Sequence, residues 1–195
     1  MTIKINNLKI IITFPFIALF TIIVISNRLH NYVFCLLSIL VHESGHLMGM
    51  CIFKSLPKVV SISAFDIKLI ETNRSYLTVN KDILITILGP FTNIITFLLF
   101  YFINTTYSYI NLFVGLFNLL PSKSLDGGQL LYLILSKFIN ESKVKLIIDI
   151  LTILFSAPLF LVGIFILLKS KYNFSLLFIC IYLILSIFYK DDKYL

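Results

Sequence analysis

Long apolar runs separated by short polar breaks set the plan of this chain. Six segments can be drawn, at about 8–26, 31–53, 83–103, 107–136, 146–168 and 172–189. Each is close to or above the ~20 residues that an α-helix needs to cross the hydrocarbon core of a bilayer. The first two are joined by "NRLHN", which leaves room only for a tight hairpin. The fourth is interrupted by "PSKSLDGGQ". The one sizeable polar stretch is 54–81. Within it "VVSISAFDIKLI" alternates apolar and polar residues, with the phase slipping at Ala64-Phe65. "ETNR" then reads as a turn and "SYLTV" as a second extended piece, which predicts a short β-hairpin around Ser61–Thr78. The expected fold is an all-α integral membrane protein. It has six transmembrane helices, a short β-hairpin after the second and a broken fourth helix, in one polytopic domain over 1–195.

Composition agrees with that class. The chain is 59% hydrophobic and 13% charged, with nineteen Phe, ten Tyr and no Trp, and its mean hydropathy is +1.01. A soluble domain carries about one-quarter charged residues. The N-terminal "MTIKINNLKIIITFPFIALFTIIVIS" places two lysines before its apolar run, as a signal peptide does. The run from Leu8 to Ser26 is too long for a typical signal core, and no small-residue cleavage site follows. It is read as a retained first membrane helix.

A net charge of +7 could suggest nucleic acid. In a membrane chain it fits cytoplasmic loops better, and nucleic acid is not expected as a partner. With the N-terminus inside, twelve basic residues fall on inner segments and Arg28, Lys169 and Lys171 on outer ones. Lys123 is left within the fourth segment. The bias predicts a multi-pass protein of the cell membrane with both termini, and the 54–81 loop, in the cytoplasm. Cys35, Cys51 and Cys180 show no paired spacing and read as small buried side chains.

The chemistry lies in the few ionisable residues at depth. Of nine acids, only Glu43 and Asp126 sit deep in apolar segments, and His42 and His46 join them. A charge at the bilayer centre costs at least ~2.5–3.5 kcal/mol on insertion scales, so such residues are paired or functional. On a helix His42 and His46 lie ~40° apart in azimuth and ~6 Å apart along the axis, so both rings can meet one ion. Glu43 points ~100° away from His42. That disfavours it as a ligand and suits a base acting on water beside the metal, the role of the glutamate in H-E-x-x-H zinc peptidases. Gly45 and Gly49 leave one side of this helix slim for a close neighbour.

A catalytic zinc needs a third protein ligand and an open position. His30 lies in a loop a membrane leaflet away. Asp126 is the better candidate, followed as it is by Gly127-Gly128. Pro121 removes a backbone donor and the glycines permit unusual dihedrals, so a helix break is expected around Ser122–Gly128. At membrane depth a break is tolerated where it lines a cavity or is packed in protein.

With "HESGH" at 42–46 and "LDGG" at 125–128 in apolar segments, the chain resembles the site-2 proteases, a family of intramembrane zinc metalloproteases. The resemblance covers roughly Ile10 to Leu135. "GPFTN" (Gly89 to Asn93) resembles a Gly-Pro-x-x-Asn element of that family, and "FNLLPSKSLDGG" its Asn-Leu-Leu-Pro…Leu-Asp-Gly-Gly block. The resemblance implies that His42, His46 and Asp126 bind one Zn2+ ion and that Glu43 is the catalytic base. It also implies that Asn93 and Asn118 help to hold the substrate backbone, and that the hairpin binds substrate. Ser122-Lys123-Ser124 departs from the prolines and apolar residues common there. The layout resembles the subgroup that includes a sporulation protease acting on a sigma-factor precursor, without the CBS domain that some members carry. The implied partners are a membrane-associated protein substrate, the lipid bilayer, and membrane proteins that restrain or regulate cleavage.

Two other classes compete. A metal transporter or sensor would also place ligands within the membrane. It would use Glu43 as a ligand or relay, so Glu43→Gln would change metal affinity. An inactive scaffold has no need of the intact set of ligands and base.

Overall fold

The computed structural model describes residues 2–5, 8–12, 29–62, 67–70, 77–170 and 174–188. They fall into two compact units, 1–115 and 116–195.

The first unit holds a sheet and two long helices. Strands β1 (Thr2–Ile5) and β2 (Leu8–Ile12) precede helix α1 (Leu29–Ile52), and strands β3 (Val59–Ile62) and β4 (Ile67–Ile70) precede α2 (Val79–Phe100). The four strands form one sheet in the order β1-β2-β3-β4. β1 pairs antiparallel with β2, β2 parallel with β3 (Lys9 opposite Val59), and β3 antiparallel with β4 (Val59 opposite Ile70). Helix α3 (Thr105–Asn118) begins in this unit.

α1 and α2 pack closely because glycines remove the bulk between them. A Cβ on Gly45 would strike the Leu88 carbonyl and stand 2.6 Å from Thr92 Oγ1, and one on Gly49 would lie 2.8 Å from Leu88 Cδ1. The slim side expected of the motif helix is therefore its seam with α2. Thr92 Oγ1 completes the seam by donating across it to the Val41 carbonyl at 3.1 Å.

The second unit holds the end of α3 and helices α4 (Asp126–Leu135), α5 (Glu141–Ser170) and α6 (Ser175–Phe188). Tyr132 of α4 packs with Val144 and Ile148 of α5 in a small buried core, flanked by Leu135 and Ile139. α5 runs through Pro158 without ending. Among the described residues, 33–52 in α1, all of α2 and all of α5 are long and apolar enough to cross a membrane, and 176–188 in α6 is a shorter apolar helix. Leu161, Phe165 and Leu168 of α5 are each more than 60% exposed. An apolar surface of that kind belongs in lipid, and the chain is a membrane protein.

Three sequence expectations need correction. Residues 8–12, read as the start of a first membrane helix, form β2 instead, while 13–26 lie outside the described residues. The hairpin is not split at "ETNR". Its strands are 59–62 and 67–70, both within the piece read as one strand, and the phase slip at Ala64-Phe65 falls in the interval between them. Val79 of "SYLTV" begins α2. The all-α description thus gives way to a helical protein with a four-stranded sheet. The cysteines are free, and Cys180 alone is buried, whereas Cys35 and Cys51 are exposed.

The break in the fourth segment is present, between α3 ending at Asn118 and α4 beginning at Asp126. Its cause differs from the one expected. No described glycine has positive φ. Gly127 and Gly128 lie inside the first turn of α4, where a Cβ on Gly127 would collide with the Leu119 and Leu120 carbonyls and one on Gly128 with the Ser122 carbonyl. They let the incoming chain fold back against the helix start.

Candidate active site

His42 and His46 lie one turn apart on α1, both buried, at 4% and 9% exposure. α2 fixes each ring through Nδ1. His46 Nδ1 donates to the Ile85 carbonyl at 2.9 Å. His42 Nδ1 lies 2.7 Å from Asn93 Oδ1. The amide orientation of Asn93 follows from its other partners. Its Nδ2 donates to the Ser38 carbonyl at 3.0 Å and to Asn111 Oδ1 at 3.0 Å, both acceptors. Asn111 is oriented in turn by donating to the Tyr107 carbonyl at 2.9 Å. Oδ1 is therefore the atom facing His42, and His42 Nδ1 carries the proton.

With Nδ1 engaged in each ring, Nε2 is the atom left to face a metal. The two Nε2 atoms face each other 3.2 Å apart, with the ring planes at 83°. Two imidazole nitrogens converging in this way suit shared ligation of one cation. Tetrahedral Zn2+ with Zn–N of 2.0–2.1 Å sets its nitrogen ligands about 3.3 Å apart, which the observed spacing matches. The held Nδ1 is the usual companion of metal ligation through Nε2, since it fixes both tautomer and ring orientation.

Gly89 makes room for the arrangement. A Cβ there would fall on the Nε2 and Cε1 atoms of His46. The "GPFTN" element therefore does two jobs: Gly89 clears space for one imidazole, and Asn93, fully buried, orients the other. Neither job was visible in the sequence, because the spacing of Gly89 and Asn93 carries no sign of which helix faces α2.

Glu43 follows His42 on α1 and is half-buried. In the second unit Asp126 is the first residue of α4, after Leu125 in extended conformation (φ −104°, ψ 163°). A helix N-terminus favours a carboxylate. There Asp126 offers the carboxylate that the sequence expects as the third ligand. Asn118 is the last residue of α3 and is half-buried.

Residues 101–159 match the model of Peptidase family M50. A solved structure, the site-2 protease from Methanocaldococcus jannaschii, shares the fold with a TM-score of 0.70 at 20% identity, covering 96% of this chain and 94% of that one. The chain thus shares the fold of a site-2 protease, and a stretch of it is similar to Peptidase family M50. A comparison with curated proteins finds no match. The family match reaches Asp126 and stops short of the histidine pair, so for His42 and His46 the tautomer and spacing arguments above carry the metal-ligand reading.

Proposed function

We propose that the chain is an intramembrane zinc metalloendopeptidase that cleaves membrane-associated or transmembrane proteins near the cytoplasmic face. The observation that carries this is the pair of facing Nε2 atoms with both Nδ1 atoms engaged. With Asp126 as the third ligand, the set is two imidazoles and one carboxylate, a catalytic rather than a structural donor set.

His42, His46 and Asp126 would hold one Zn2+, which would supply Lewis-acid polarisation of the scissile carbonyl and acidify the attacking water. Glu43 acts as general base on the attacking water and then returns the proton to the leaving amine. Its half-exposed position suits that traffic better than burial would. Asn93 serves as a positioning residue for His42, since its amide is already taken up by His42, Ser38 and Asn111. Asn118 stays the candidate for contact with the substrate backbone.

A transmembrane substrate hides its peptide bonds in i→i−4 hydrogen bonds and must unwind before cleavage. β4 lies at an edge of the sheet, and an unwound segment can add to such an edge as a further strand. The substrate is a signalling or transcription factor released by regulated proteolysis, under the control of other membrane proteins. The chain crosses the membrane several times, with both termini in the cytoplasm.

The test is co-expression of wild type and Glu43→Gln with candidate single-span membrane proteins. Cleavage by wild type alone, with zinc retained in both, is the expected result. Unchanged cleavage by Glu43→Gln, or zinc lost along with it, would sink the assignment.

A further inference from the structure

Lys123 has no part in the chemistry above, and a lysine within an apolar segment is costly enough to ask for a reason. It sits in the break between α3 and α4, three residues before Asp126. Both of its nitrogens are used within the second unit. The backbone N–H donates to Thr152 Oγ1 of α5 at 3.0 Å, and Nζ donates to the Ile187 carbonyl of α6 at 2.9 Å. Thr152 is fully buried and anchored by its own bond to the Ile148 carbonyl at 2.8 Å. Ile187 is the penultimate residue of α6, so its carbonyl is one of those that the helix leaves without an internal partner. An ammonium group there also meets the negative end of the helix dipole.

The loop itself is short and tightly folded. Ser122 N–H donates to the Leu120 carbonyl at 2.8 Å, and Leu125 N–H to the Ser122 carbonyl at 3.0 Å. Ser122 and Leu125 are buried. Gly128 lets the Ser122 carbonyl rest against the start of α4. The segment from 122 to 128 thus behaves as one piece, and Lys123 is where that piece is tied to α5 and α6.

We infer that Lys123 is a positioning residue: it fastens the loop that presents Asp126 to the C-terminal end of α6, so α6 is a lever on the metal site. The inference rests on Asp126 being a zinc ligand, as proposed above. It gives a purpose to the departure of Ser122-Lys123-Ser124 from apolar residues. A polar tether replaces the stiffness that proline would supply.

The experiment uses the full chain in the Glu43→Gln background, so that zinc affinity is read by chelator competition without turnover. Parent, Lys123→Met, Lys123→Arg and, as a control, Lys143→Met on the exposed first turn of α5 are compared. Lys123→Met is expected to bind zinc roughly tenfold more weakly, the lower end of what loss of a supporting contact costs a metal site. Lys123→Arg should recover most of the affinity and Lys143→Met should match the parent. Amide exchange of 122–128 in the zinc-free protein should speed up in Lys123→Met alone; if that variant does not fold, Lys123→Gln takes its place in both readouts. Equal zinc affinity for parent and Lys123→Met overturns the inference and leaves the peptidase reading standing. An arginine variant as weak as the methionine one also overturns it. A parent that binds no zinc takes both down.

Discussion

His42 Nδ1 meets Asn93 Oδ1 at 2.7 Å, and that bond decides which face of the imidazole is left for a metal. Asn93→Ala removes the acceptor and frees the ring to turn. Partners of this kind are worth about 10–100-fold in metal affinity. Zinc affinity of Asn93→Ala, measured against a chelator, should fall within that range. Asn111→Ala, one bond further out, should cost less. Equal losses for the two would mean that packing, not orientation, is what Asn93 provides.

Gly89→Ala and Gly115→Ala make a matched pair on the two sides of the buried asparagine. The first places a methyl group on the His46 ring, which is itself tied to Ile85. The second meets Asn93 Cβ at 3.1 Å and the Pro90 carbonyl at 3.2 Å, tight but short of collision. Gly89→Ala should lose zinc binding and cleavage together. Gly115→Ala should keep both, with thermal stability lowered by about 1–3 kcal/mol, the usual range for overpacking. Zinc content of the two purified variants is the check.

The helix break makes a similar prediction with backbone atoms as the obstacle. Carbonyls of Leu119, Leu120 and Ser122 occupy the space that a Cβ on Gly127 or Gly128 would need. Backbone cannot swing aside as a side-chain tip can. Gly127→Ala and Gly128→Ala should each cost at least ~1–3 kcal/mol of stability and release zinc. A thermal melt with and without added zinc would show the zinc-dependent increment shrinking in both variants.

Metal removal separates base from ligands. Chelation should abolish cleavage by wild type, and added Zn2+ should restore it. Glu43→Gln should bind zinc within a few-fold of wild type yet lose cleavage by at least ~10²-fold, the lower end for a general base. His46→Ala should lose both. Timed digestion of a single-span substrate, alongside zinc analysis, gives the two readouts.

The site was more legible in the sequence than its frame. "HESGH" marks two candidate ligands and a candidate base by helical spacing, and Asp126 stands out as the other deep acid. Asn93 and Gly89 were marked by resemblance, but their tasks depend on the α1–α2 seam, a relationship between residues far apart in the chain. The sheet was harder. Residues 2–12 carry isoleucines on either side of Asn6-Asn7, a β-branched, turn-punctuated pattern that the longer apolar run overshadowed. The hairpin's bounds were misplaced for a local reason: the slip at Ala64-Phe65 marked the interval between strands, not an irregularity within one.

The parallel pairing of β2 with β3 has a consequence for how the molecule is made. Lys9 lies opposite Val59, fifty positions later in the chain. The opening strands therefore leave the ribosome with no neighbour on that side, and must wait until α1 has been synthesised and β3 follows it. At about 5–20 residues per second the wait lasts several seconds. During that interval an isoleucine-rich ribbon is open to the wrong companion, so fusions or chaperones acting on the N-terminus should alter yield more than those placed at the other end.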